Sequence, residues 1–123
     1  MHMKSAPQAG AILFAYLPEE GSAQKSKPRP VVVLDSTERN GLIYLTVAKG
    51  TSQKTNEKFR GEFVVRNAED LVACGLVKET KFQLRRTETL PFTNNWFCMK
   101  ASGNIPRHLV RNLLDAAQEA NLI

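Results

Sequence analysis

Only two cysteines and two histidines occur in the 123 residues of this chain, and each scarcity removes a class of chemistry. Cys74 and Cys98 are too few for a disulfide framework. They lack CxxC spacing and have no adjacent histidines to complete a zinc site, so both read as small core fillers. His2 falls in the terminal segment and His108 beside Leu109 on a predicted helix, where a surface side chain is expected rather than a general base. HExxH, GxxxxGK[ST] and GxSxG are missing, as is any run of carboxylates at metal-ligand spacing, so no metal and no cofactor is expected. No apolar run approaches the roughly 20 residues needed to cross a bilayer. Met1–Pro7 carries one Lys and no apolar segment, which argues against a secretory leader. The reading is a cytoplasmic protein with no membrane partner.

What remains is an ordinary globular composition with a cationic excess. Hydrophobic residues make up 42% and charged residues 24%, with a formal net charge of +5. A chain of this length buries roughly two-thirds of its unfolded surface, enough for one core. The organisation expected is a flexible segment over residues 1–9 followed by one domain over 10–123. The positive charge favours polyanionic partners, because lysines and arginines that neutralise phosphates release condensed counterions.

Local patterns point to a mostly β protein. Ala11–Leu17 is a continuous apolar run too short for a stable helix, and reads as a buried first strand. A polar loop spans residues 18–28, after which Arg29-Pro30 opens a strand over Val31–Leu34; Pro is tolerated there because the first residue of a strand can lack a ladder donor. Asp35–Gly41 reads as a turn ending in Asn40-Gly41, and Leu42–Ala48 as a third strand. A lysine-bearing loop over residues 49–58 precedes a strand near Glu62–Val65. Asn67 as an N-cap, acids in the first turn and Gly75 as a stop predict a short helix over Ala68–Cys74. Lys81–Arg85 alternates, with Lys81, Gln83 and Arg85 on its polar face. Leu109, Leu113, Ala116, Ala117 and Ala120 recur at helical spacing after Pro106. Five or so strands with one covering helix predict a small antiparallel barrel closed by a C-terminal amphipathic helix.

Three features, in this order, resemble the MazF/PemK family of toxins. The first is a strand after Gly10, the loop Gly21-Ser22-Ala23-Gln24-Lys25, and Lys27-Pro28-Arg29-Pro30 leading into a valine strand. The second is Val47-Ala48 running into Gly50-Thr51-Ser52. The third is Arg86-Thr87 after Phe82-Gln83-Leu84. The resemblance spans most of residues 10–90. It implies the SH3-like, plasmid-maintenance-toxin barrel and a metal-independent endoribonuclease of a type II toxin-antitoxin system, acting on single-stranded RNA as a homodimer restrained by a cognate antitoxin. It gives catalytic roles to Arg29 and Thr51, with Ser52 and Arg86 supporting, and places Gln24, Lys25, Lys27, Lys49, Lys54, Gln83 and Arg85 toward RNA.

The chemistry suits those residue types. Cleavage without a metal has the ribose 2′-hydroxyl attack the adjacent phosphorus, and a permanently charged, forked guanidinium suits the phosphorane oxygens. A threonine hydroxyl can align the attack. The chain departs from the family where many members carry Asp-Gln-apolar-Arg: no acid stands there, and Arg85 and Arg86 compete for the arginine position. Two other readings stay open, a non-catalytic toxin of the same fold that poisons DNA gyrase, and a small basic barrel that only binds nucleic acid.

Overall fold

In the computed structural model, which describes residues 6–17 and 27–123, six antiparallel strands form one sheet in the order β4-β5-β3-β2-β1-β6. The strands are β1 (Ala11–Ala15), β2 (Arg29–Arg39), β3 (Leu42–Thr51), β4 (Glu62–Val65), β5 (Thr80–Pro91) and β6 (Phe97–Asn104). The helices among the described residues are α1 (Ala68–Cys74), a 3₁₀ turn over Arg107–Leu109 and α2 (Val110–Glu119). The chain is mostly β, as expected, with a C-terminal helix.

Both faces of the sheet are buried, which follows from the apolar runs of its central strands. Ile12, Val32, Ala48, Phe63, Phe82 and Leu84 form one core with Leu109, Leu113, Ala116 and Ala117 of the C-terminal segment. Leu13, Val31, Val33, Leu45, Val47, Leu90 and Phe97 form a second core. Neighbours along β1, β2 and β3 alternate between the two, as pleating requires. The α2 residues expected to face inward do so: Leu113, Ala116 and Ala117 are buried. Trp96 packs against the second core and Phe97 lies within it.

Two short-range signals act as expected. Asn40 and Gly41, at φ 52° and 83°, make the two-residue turn that joins β2 to β3 with Arg39 opposite Leu42. Helix α1 ends at Gly75, whose φ of 71° lets the Gly75 amide reach the Val72 carbonyl while the Leu76 amide reaches that of Leu71. Asn67 occupies the N-cap with extended backbone but makes no side-chain capping bond.

Four expectations are corrected. Residues 35–39 belong to β2 rather than to a turn, since Asp35, Ser36, Thr37, Glu38 and Arg39 pair in register with β3; this part of the hairpin is largely exposed, so polar residues serve it. Lys49, Gly50 and Thr51 end β3 rather than opening a loop. β5 is longer than Lys81–Arg85, because it pairs with β4 through residues 80–83 and with β3 through 87–91. β6 was not anticipated, and brings the strands to six; its pairing with β1 is a tertiary contact that composition does not announce.

Lys81 is a further departure from its predicted solvent-facing role, with only 3% of its surface exposed. Its Nζ lies 3.3 Å from Glu62 Oε1 and donates to the Glu57 carbonyl at 2.8 Å and the Lys54 carbonyl at 3.2 Å. The connection between β3 and β4 therefore folds over the strand face and, with Glu62 at the start of β4, supplies three partners for the ammonium.

Candidate functional site

The ends of β2 and β3 place the residues singled out from the sequence side by side. Arg29 pairs with Ala15 and Val31 with Lys49, and Arg29 and Thr51, two residues beyond that last pair on β2 and β3, line one cleft. Residues opposite one another in an antiparallel pair share a face. Ala15 and Val31 belong to the second core, so Arg29 and Lys49 stand on that face where apolar packing gives way to solvent.

Gly50 makes this close approach possible. A Cβ at this position would sit 2.8 Å from Phe82 Cε1, 2.9 Å from the Pro30 carbonyl oxygen and 3.0 Å from Thr80 Cγ2. The glycine lets β3 run tight against β2 just before Thr51. Beyond it, Thr51 Oγ1 accepts a hydrogen bond from the Gln53 amide at 3.1 Å, the local turn that a Gly-Thr-Ser sequence favours. That bond uses an oxygen lone pair and leaves the hydroxyl proton uncommitted by it.

Arg86 arrives by a break in the opposite ladder. Ala48 pairs with Thr87 but Lys49 with Gln83, so residues 84–86 have no counterpart on β3 and β5 bulges there. Bulges re-aim side chains beside functional sites. Arg29, Lys49, Thr51, Ser52 and Arg86 all line one cleft of about 920 Å³. Leu76, Val77 and Lys78, which follow α1, form another part of its wall, and Val77 is 94% exposed. Among the described residues the charged lining comprises the cations Arg29, Lys49, Lys78 and Arg86 and the carboxylate Glu88. Such a field concentrates anions.

The other sequence-derived candidates among the described residues do not line this cleft. Lys27 and Lys54 are exposed outside it. Gln83 donates to Glu62 Oε2 at 3.2 Å, and the stem of Arg85 covers Gly61. The structure thus separates the two adjacent arginines, with Arg86 on the cleft and Arg85 over Gly61. Gln24 and Lys25, with the rest of the Gly-Ser-x-Gln loop, lie outside the described residues, as do residues 1–5 of the terminal segment.

Several groups that might carry chemistry are engaged elsewhere. Burial alone would raise the Glu62 carboxyl, but hydrogen bonds from the Phe59 amide, Gln83 and Lys81, with the Lys81 charge, outweigh it and hold the group below its ordinary value. His108 Nε2 contacts Asp70 Oδ1 at 2.9 Å, tying the 3₁₀ turn to α1. Burial, with the nearby Asp70 charge, pushes the Cys74 thiol up to about 11, which makes it inert. Among the described residues no group of three or more His, Cys, Asp or Glu side chains is arranged to hold a metal ion. None of the described helices is long and apolar enough to cross a membrane.

Sequence reasoning missed Lys78 and Glu88, and took Gly50 only as part of the Gly-Thr-Ser motif. Glu88 was hidden because the alternating signal ends at Arg85, short of the second half of β5. Lys78 was hidden by a connection whose path depends on where α1 packs.

Comparison with curated proteins returns no match. Residues 8–120 match the model of a family described as the PemK-like, MazF-like toxin of type II toxin-antitoxin systems. That match covers nearly the whole chain, including the strands that form the cleft and the helix that closes the first core, and the chain belongs to the PemK-like, MazF-like family of type II toxins, whose partner is a cognate antitoxin.

Proposed function

We propose that the chain is an endoribonuclease that cleaves single-stranded RNA without a metal, by attack of the ribose 2′-hydroxyl on the adjacent phosphate. The observation that carries this reading is the convergence of Arg29, Lys49, Thr51, Ser52 and Arg86 on one cleft, from β2, β3 and the turn after it, and the β5 bulge. In the reaction the 2′-oxygen bonds to phosphorus and the bond to the 5′-oxygen breaks. The products are a 2′,3′-cyclic phosphate and a 5′-hydroxyl, the leaving oxygen taking up a proton.

Negative charge grows on the phosphorane oxygens along this path. Arg29 and Arg86 present fixed guanidinium charge where that growth occurs, and donors already oriented by the protein act more strongly there than in water. Thr51 aligns the attacking hydroxyl or a phosphate oxygen through its uncommitted proton, with Ser52 beside it. Cations and hydroxyls make up most of the polar part of this lining, a donor set that suits phosphate better than a divalent cation. The same reading takes the active form to be a cytoplasmic homodimer. The antitoxin then acts by laying an acidic segment along the cationic cleft in competition with RNA.

The test is single-turnover cleavage of a long RNA in excess EDTA, with the ends mapped. Cleavage should persist and leave 5′-hydroxyl ends; loss on chelation with recovery in magnesium would refute the mechanism. Arg29→Ala should slow cleavage by about 10²–10³-fold, in line with removal of one preorganised oxyanion donor. Thr51→Ala should slow cleavage with little change in RNA affinity. Wild-type rates in both folded variants would favour the gyrase-directed or binding-only readings.

A further inference from the structure

Glu88 is out of place in a cleft built for phosphate. Among the described residues it is the one carboxylate lining the cleft, it is exposed, and no ion pair or hydrogen bond engages it there. A carboxylate so placed repels the RNA backbone and weakens binding that Arg29, Lys49 and Arg86 otherwise favour. Its position is well fixed. Glu88 pairs with Val47, whose side chain is in the second core, so Glu88 shares a sheet face with Arg29 and Lys49. On β3 the Val47 level is four residues from Thr51, roughly 13 Å along the strand. That offset puts Glu88 away from the scissile phosphate and toward the bases that flank it.

We infer that Glu88 is a specificity residue that reads a guanine flanking the cleaved bond, an inference that rests on the ribonuclease reading. A carboxylate only accepts hydrogen bonds and offers two parallel oxygens. On its Watson–Crick edge guanine presents two neighbouring donors, N1–H and the N2 amino group, which match that fork. Cytosine and adenine each offer one amino group beside an acceptor nitrogen, and uracil one N–H between two carbonyls. Unstacked bases of single-stranded RNA expose this edge to side chains. The carboxylate therefore discriminates twice, by pairing with guanine and by repelling the acceptors of the other bases.

The experiment reads binding and cleavage separately, on wild type, Glu88→Ala and Glu88→Gln. Short 2′-fluoro oligonucleotides of mixed sequence, which lack the attacking hydroxyl, are made with guanine or with inosine, which lacks the N2 amino group. Wild type should bind the guanine set about 10-fold or more tighter, the scale of one hydrogen bond to a charged group. Glu88→Ala should not distinguish the sets, and Glu88→Gln, which turns one acceptor into a donor, should lose most of the difference. Melting should be unchanged, because the side chain is exposed. In parallel, cleavage sites mapped on a long RNA should share a guanine at one fixed position for wild type and lose it for Glu88→Ala. Equal discrimination by wild type and Glu88→Ala, or none by wild type, overturns the inference. Discrimination that depends on Glu88 without cleavage by any form upholds base reading and refutes the nuclease.

Discussion

Replacing Lys81 with Met tests whether the buried ammonium anchors the connection beside the cleft. Methionine keeps the length and most of the volume of the stem while removing the charge. Three contacts are lost together: the 3.3 Å ion pair with Glu62 and the bonds to the carbonyls of Lys54 and Glu57. Both charged side chains are nearly inaccessible, at 4% for Lys81 and 8% for Glu62, so solvent screens the pair little. Removing one partner of such a pair costs about 3–5 kcal/mol, chiefly because the other charge stays buried. Glu62 keeps the Phe59 amide and Gln83, which places the expectation near the lower end. In a domain of this size that loss should lower Tm by roughly 10–20 °C. Urea titration with a double-mutant cycle using Glu62→Gln isolates the pair, and the double variant should recover part of the loss because no charge is then stranded. A Lys81→Met protein within about 1 kcal/mol of wild type would refute the reasoning.

The depressed Glu62 carboxyl makes a signed prediction. Its folded value lies below its ordinary 4.5, so its contribution is complete above that pH and is lost as pH falls through the folded value; the stability gap between wild type and Glu62→Gln should shrink on acidification, and a gap that widens would contradict it. Gly50→Ala should cost about 1–3 kcal/mol by forcing Phe82 or β2 aside, read as a lower urea midpoint; an unchanged midpoint would show that the strands yield freely. Cys74 should resist alkylation in the native protein near pH 8 and react only on unfolding, whereas labelling at the rate of a free thiol would refute its burial.

Elements that follow from short-range rules were the ones legible in the sequence. The limits of α1, the Asn40-Gly41 turn and the inward face of α2 each depend on neighbours within about a turn of chain. The second halves of β2 and β5 and all of β6 depend on partners far away, and their exposed polar residues carry no periodic signal. Lys81 shows the same limit at one residue. Alternation placed it outward correctly with respect to its strand, but not the distant connection that covers that face. For the candidate site, Arg29, Thr51, Ser52 and Arg86 could be singled out by residue type and order. That Arg86 rather than Arg85 lines the cleft is decided by a register shift between two strands, which no local pattern reveals.

Gly103 carries a constraint on how this chain can vary. A Cβ there would fall against the carbonyl carbon of Cys74 and 2.5 Å from the carbonyl oxygens of Ala73 and Cys74, so β6 lies directly on the backbone at the end of α1. Those neighbours are main chain, and no rotamer change can make room. Even alanine would act as a wedge, lifting α1 from the sheet or β6 from β1. The residues after α1, Leu76 to Lys78, form cleft wall, so the displacement would be felt there. Selection on the cleft thus reaches a glycine on the far edge strand, at a position without a side chain of its own. Among functional descendants of this sequence, position 103 should stay invariant while the exposed residues of α1 drift.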